Sequence, residues 1–175
     1  TYLVKKDAVT HNGYYMRVDV RPAENVPEGK PLGDYTFGEN AMSYLVKMNE
    51  LCKENGVELI LVKAPSLYPY WYDEWEEQVE VFAKENDLKY YNFLKATDEI
   101  GLDFTEDTYD AGLHLNLSGA EKLSRYFGRI LSEECGIESR RGEAALEAQW
   151  DEKRQAYEAD RDAQYAEIGK NRNEE

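Results

Sequence analysis

Seven consecutive residues constrain this chain more than any others. Val57-Glu58-Leu59-Ile60-Leu61-Val62-Lys63 is nearly all apolar, the composition of a strand buried on both faces. Its flanks are helical in pattern. Ala41, Leu45, Met48 and Cys52 recur at 4, 3 and 4, one face of an amphipathic helix that opens near Asn40 and ends at Gly56. Beyond the turn Ala64-Pro65-Ser66, Trp71, Trp75, Val79 and Phe82 recur at 4, 4 and 3 and predict a second helix. Leu88-Lys89-Tyr90-Tyr91-Asn92-Phe93 predicts a second strand. Leu123, Phe127, Ile130 and Leu131 line a third helix that stops at Gly136. Short strands alternating with helices are the signature of parallel βα units, and consecutive units usually neighbour each other. The two strands are therefore expected to be adjacent and parallel.

Two parallel strands alone are not a stable sheet in water. Either Tyr15–Val20, which alternates like a strand, is recruited as a third, or further strands precede Thr1. The second option is favoured, which makes this the C-terminal part of a larger α/β domain. The remaining organisation follows composition. Residues 1–37 are irregular, punctuated by Gly13, Pro22, Pro27, Gly29, Pro31 and Gly33. So long a loop within a compact domain suggests a segment wrapped over something else. His11 precedes a turn signal and reads as part of the turn. Residues 38–139 form the α/β unit. Residues 140–175 hold ten acids and seven bases and no proline, with Leu146, Trp150, Tyr157, Tyr165 and Ile168 as a thin apolar stripe. They predict a long helix lying against the domain or a partner.

The chain carries 21 Lys and Arg against 36 Asp and Glu, a net charge of −15. Binding to a nucleic-acid backbone needs clustered cations, and an anionic membrane surface needs them too, so the charge argues against both partners. No stretch approaches the roughly 20 apolar residues of a membrane span. Cys52 and Cys135 fit no metal motif or disulfide framework and read as buried free thiols within helices. Nothing in the residue pattern asks for a metal or an organic cofactor.

In open parallel sheets, ligands bind beyond the carboxyl ends of the strands. Here those ends are Lys63-Ala64-Pro65-Ser66 and the loops from Asn92 to His114. His114 stands just before a helix start, with Asp110 four residues earlier. A carboxylate can accept the imidazole Nδ1–H, fix the tautomer and leave Nε2 as a general base. Ser118-Gly119-Ala120-Glu121 has capping-box spacing, which accounts for Ser118. Asn116 is placed at the start of the same helix. Ser66 and Lys63 stand where they could line a pocket, Lys63 meeting an anionic or carbonyl group of a substrate. Tyr68, Tyr70, Trp71, Tyr72 and Trp75 crowd into eight positions. Such rings stack on sugars, and Trp71 and Trp75 equally fit the core face of the second helix.

Asp110 to Gly119 reads D-A-G-L-H-L-N-L-S-G and opens an apolar helix. This resembles the last block of the SGNH/GDSL-type hydrolases, in particular the cell-envelope, O-acyltransferase-like branch. Leu61-Val62-Lys63-Ala64-Pro65-Ser66 and Tyr90-Tyr91-Asn92-Phe93 are similar to strands of that branch. The likeness covers about residues 40–135. It implies a three-layer, doubly wound, flavodoxin-like sheet, here partial, and a Ser-His-Asp esterase or O-acyltransferase acting on an acylated glycan or small ester. His114 would be the base and Asp110 its orienting acid. The family spacing is Asp-x-x-His whereas this chain has Asp-x-x-x-His, so Asp107 stands as the alternative acid. The family's nucleophile turn is absent from the sequence, and the serine is expected upstream. Lys63, Ser66, Tyr68, Tyr70, Trp71 and Asn116 would contact substrate. The resemblance also implies a bacterial cell-envelope setting. The alternative is a non-catalytic SGNH-like module that binds glycan or serves a structural role.

Overall fold

The structure is a computed structural model that describes residues 11–174, with side chains described as far as 169. In chain order it contains α1 (Glu39–Glu54), β1 (Ile60–Lys63), α2 (Asp73–Glu85), β2 (Lys89–Asn92), α3 (Thr97–Ile100), α4 (Leu117–Glu133) and α5 (Ala144–Glu174). The strands pair in parallel, from Ile60 opposite Lys89 to Lys63 opposite Asn92, with α2 as the connection. The α/β class and the pairing are as the sequence pattern predicts.

Three expectations change. Among the described residues the sheet has two strands, so the three-layer doubly wound sheet is not formed here. The apolar run is not buried on both faces either: the strand begins only at Ile60, and Val57 and Val62 are 56% and 45% exposed. An apolar run is a local property, but covering both of its faces needs elements that these residues do not supply. The buried face of α1 is also rotated. Met48 is exposed, and Asn49 takes the inward position, donating through Nδ2 to Asn86 Oδ1 at 2.8 Å. The helical period admits either stripe, and the contact with the end of α2 selects one.

Tyr15–Val20 does not join the sheet. It runs extended beside the loop that precedes α4, and the two exchange backbone hydrogen bonds. Leu117 N–H donates to Arg17 O at 2.7 Å, Arg21 N–H to Thr108 O at 2.9 Å, and Ala23 N–H to Phe104 O at 2.9 Å. Met16, Val18 and Leu117 form one small core, over which Tyr157 and Ile168 of α5 pack. The wrapping expected of the irregular segment thus occurs from His11 onward; residues 1–10 lie outside the described residues. His11 sits in a 3-10 turn, as its context predicts, and its Nε2 meets Asp160 of α5 at 2.8 Å. A second core joins Phe93, Ile100 and Ile130, packed by Tyr91, Leu123 and Phe127. Cys52 and Cys135 are free thiols, but half-buried rather than buried, and Cys135 lies just past the end of α4.

At the carboxyl ends of the strands sits Glu76, a buried carboxylate on α2. Its Oε2 accepts from Trp71 Nε1–H at 2.7 Å, Tyr90 O–H at 2.8 Å and Asn92 Nδ2–H at 2.7 Å, and Lys95 Nζ approaches Oε1 at 3.3 Å. Burial raises the Glu76 pKa, but these donors together with the Lys95 charge outweigh burial and hold it below the ordinary glutamate range. Glu76→Ala leaves three donors without their acceptor, and urea denaturation is expected to show a loss of about 3 kcal/mol. The sign of the pH dependence follows from the lowered value. The contribution of Glu76 is present above the unfolded glutamate value of about 4.3 and is lost as pH falls through the lower folded value. Glu76→Gln should flatten stability against pH in that acid range, and an unchanged profile would refute the assignment.

Candidate active site

The loop from Asp103 to Asn116 is built around buried polar groups that find partners inside the protein, Asp107 Oδ1 being the exception. Thr108 is fully buried; its hydroxyl donates to His114 O at 2.8 Å and accepts from Gly112 N–H at 2.8 Å. Asp107, also fully buried, accepts from Asp103 N–H at 2.8 Å and from Lys122 Nζ at 2.6 Å. Asn116 Oδ1 accepts from Gly119 N–H at 3.2 Å, so Asn116 rather than Ser118 caps α4, and the helix starts earlier than the capping-box spacing predicts. Its Nδ2 donates to Glu106 O at 2.7 Å and to Asp19 O at 3.2 Å. Gly119 is required where it stands, because a Cβ there would come within 2.6 Å of Asp107 O.

This scaffold presents two side chains. Ala111 and Gly112 adopt left-handed backbone, with φ of 64° and 99°, and turn the chain back on itself. The reversal returns the Asp110 carboxylate to His114 despite the extra residue between them. Asp110 Oδ1 accepts from His114 N–H at 2.7 Å, and Oδ2 lies 2.6 Å from His114 Nδ1. Burial raises the Asp110 pKa, yet its hydrogen bonds from the His114 ring and backbone hold it below the usual aspartate value. An ionised carboxylate only accepts, so Nδ1 carries the proton, and in the neutral imidazole Nε2 presents a lone pair. The His114 side chain is 59% exposed, and no described residue hydrogen bonds Nε2. Asp107 is held by Lys122 and does not serve as the alternative acid.

Tyr109 stacks on His114 with ring planes 8° apart and centroids 5.8 Å apart. Arg17 lies over Tyr109, its Cζ 4.9 Å from the ring centroid, and makes a two-pronged pair with Asp19 at 2.7 and 2.6 Å. The Arg17 hydrogen bonds outweigh burial and lower the Asp19 pKa. Sequence reasoning missed Arg17, Asp19 and Tyr109. The only signal was the Tyr15–Val20 alternation, which said the segment is extended but not what it lies against.

The residues expected to contact substrate divide differently. The loop leaving β1 does meet the histidine loop, Leu67 N–H donating to Gly112 O at 2.8 Å. Lys63 turns back to donate to Ala64 O at 2.7 Å and Ser66 O at 3.3 Å, and burial lowers its pKa. Ser66 donates to Tyr68 O at 2.6 Å. Tyr70 and Trp75 meet Tyr72 edge-on, Phe37 stacks on Trp75, and Trp71 is tied to Glu76. That aromatic group is packing, although Tyr70 keeps an exposed edge. Asn116 is buried structure. Tyr68 is partly buried and carries the carbonyl that Ser66 binds.

Among the described residues no group of three or more His, Cys, Asp or Glu side chains is placed to hold a metal ion, and no helix is long and apolar enough to cross a membrane. In comparisons with known proteins, no family model, curated protein or solved structure matches this chain.

The dyad geometry makes a direct prediction. Above its titration range, His114 should be the Nδ1–H tautomer, read from ring nitrogen shifts in a protein with only two histidines. Asp110→Asn should mix the tautomers. An Nε2–H tautomer in the unmodified protein would contradict the assignment.

Proposed function

We propose that this chain carries the general base and orienting acid of an SGNH-type serine esterase or O-acyltransferase acting on an acylated glycan or small ester. The observation that supports it best is the doubly anchored Asp110–His114 pair with an open Nε2. A core histidine would pack its ring and leave no nitrogen free, whereas a base must present one where a hydroxyl arrives.

The nucleophile is a serine from outside these 175 residues. In support, none of the six serines of the chain hydrogen bonds to His114. The open face at Val62 of β1 fits a sheet completed by another segment. The serine hydroxyl attacks the acyl carbonyl, and His114 Nε2 takes its proton as the serine–carbon bond forms. Asp110 stabilises the imidazolium through Nδ1–H. As the ester C–O bond breaks, His114 returns the proton to the leaving sugar oxygen, giving the acyl-serine. Water or an acceptor hydroxyl then repeats the cycle, yielding acid or a new ester. Neither a metal nor an organic cofactor enters this reading, which is set in a bacterial cell envelope. The lack of a serine at His114 also favours one rival, a non-catalytic module that binds glycan.

The 175-residue chain alone should hydrolyse aryl acetates no faster than buffer, and a fluorophosphonate should label none of its serines. Joined to a segment that supplies the nucleophile, it should turn over. His114→Ala should then lower kcat by on the order of 10⁴-fold, and Asp110→Asn nearly as much, because Asp107 is committed to Lys122. Turnover that survives His114→Ala, or that depends on Ser66, would overturn the reading.

A further inference from the structure

Resting on the esterase reading above, we infer that Tyr15, Arg17, Asp19 and Tyr109 form the sugar subsite beside His114, and that it takes an uncharged rather than an anionic sugar ring. Tyr15 is 70% exposed, the most open of the large apolar or aromatic side chains described. The Arg17 guanidinium is near two rings, its Cζ 5.9 Å from the Tyr15 centroid and 4.9 Å from that of Tyr109. Tyr109 in turn stacks on His114. The strip therefore leads from an open aromatic face directly to the proposed base.

Its chemistry matches a sugar. A flat ring covers the C–H face of a pyranose, and a coplanar guanidinium–carboxylate pair sets donors beside acceptors, the pattern that vicinal hydroxyls satisfy. Asp19 occupies Arg17 Nε and Nη2, and the Tyr15 side chain interacts with the same guanidinium. The pair is neutral as a unit, so no unbalanced cation remains to attract a carboxylate or sulfate. The Asp110 charge acts on Asp19 against the lowering that Arg17 imposes, and it adds negative potential at the same place. The chain as a whole carries −15. An anionic ring would meet repulsion from both. The strip is also rigidly placed relative to His114. Arg17 O accepts Leu117 N–H and Asp19 O accepts Asn116 Nδ2–H, so both residues are fixed by the loop and helix that hold the dyad. The Tyr70–Trp75 group, by contrast, spends its faces on Phe37 and on one another.

The test is NMR titration of the isotope-labelled 175-residue chain with three probes: O-acetylated xylotriose, the same trisaccharide deacetylated, and an O-acetylated trigalacturonate. The acetylated neutral probe should shift the ring signals of Tyr15, Tyr109 and His114, and the galacturonate should bind about ten-fold more weakly or worse. Tyr15→Ala and Arg17→Leu should each weaken the neutral probe by about ten-fold, while Tyr44→Ala on α1 leaves it within about two-fold. The subsite is overturned by neutral binding that Tyr15→Ala leaves intact, by loss on Tyr70→Ala instead, by preference for the galacturonate, or by no shift at any millimolar concentration. A separate result would sink the esterase reading and leave the subsite standing: both neutral probes binding equally at Tyr15 and Tyr109, with no response at His114.

Discussion

One buried amide joins the three segments on which the rest of this structure depends. Asn116 accepts from the first turn of α4 and donates to backbone carbonyls of the extended N-terminal segment and of the acid–histidine loop. A buried amide without partners would be costly, so the three segments are held in the arrangement that satisfies it. Thr108 and Asp107 extend the same internal network to the His114 carbonyl and to Lys122. The exposed dyad is thus carried on a loop whose backbone has little freedom, which is what positioning a proton acceptor requires.

The second polar centre, Glu76, also works at the carboxyl ends of the strands. It gathers Trp71, Tyr90 and Asn92 around one carboxylate and so directs the aromatic side chains inward. This decides which aromatics remain free. The rings after β1 are absorbed into packing, and the open aromatic surface beside His114 comes instead from Tyr15 and Tyr109. The apolar cores are small, Met16–Val18–Leu117 and Phe93–Ile100–Ile130, and the polar networks share the task of fixing the fold.

Much of this was legible in the residue pattern. Helical periodicity located α1, α2 and α4, and the alternation of elements gave the parallel pairing of β1 with β2, because both are set by which local faces are apolar. Asp110 and His114 were legible as a pair since four intervening bonds of loop can close on themselves. Other features were not. Whether the buried stripe of α1 runs through Met48 or Asn49 depends on Asn86, and the cap at Asn116 competes with an equally plausible serine two residues on. That Val57 and Val62 stay exposed could not be read from an apolar run at all.

By itself, the sequence determined the element order, the net charge of −15 and the presence of one acid–histidine pair, for these depend on composition and short-range spacing. Only the tertiary structure decided what lies against that pair. Arg17 and Asp110 are remote in sequence, and no local period records that Leu117 N–H finds Arg17 O or that Arg17 comes to rest on Tyr109. Long-range contacts of this kind are selected by the joint satisfaction of buried polar groups and small apolar cores. That is a property of the folded chain and not of any segment within it.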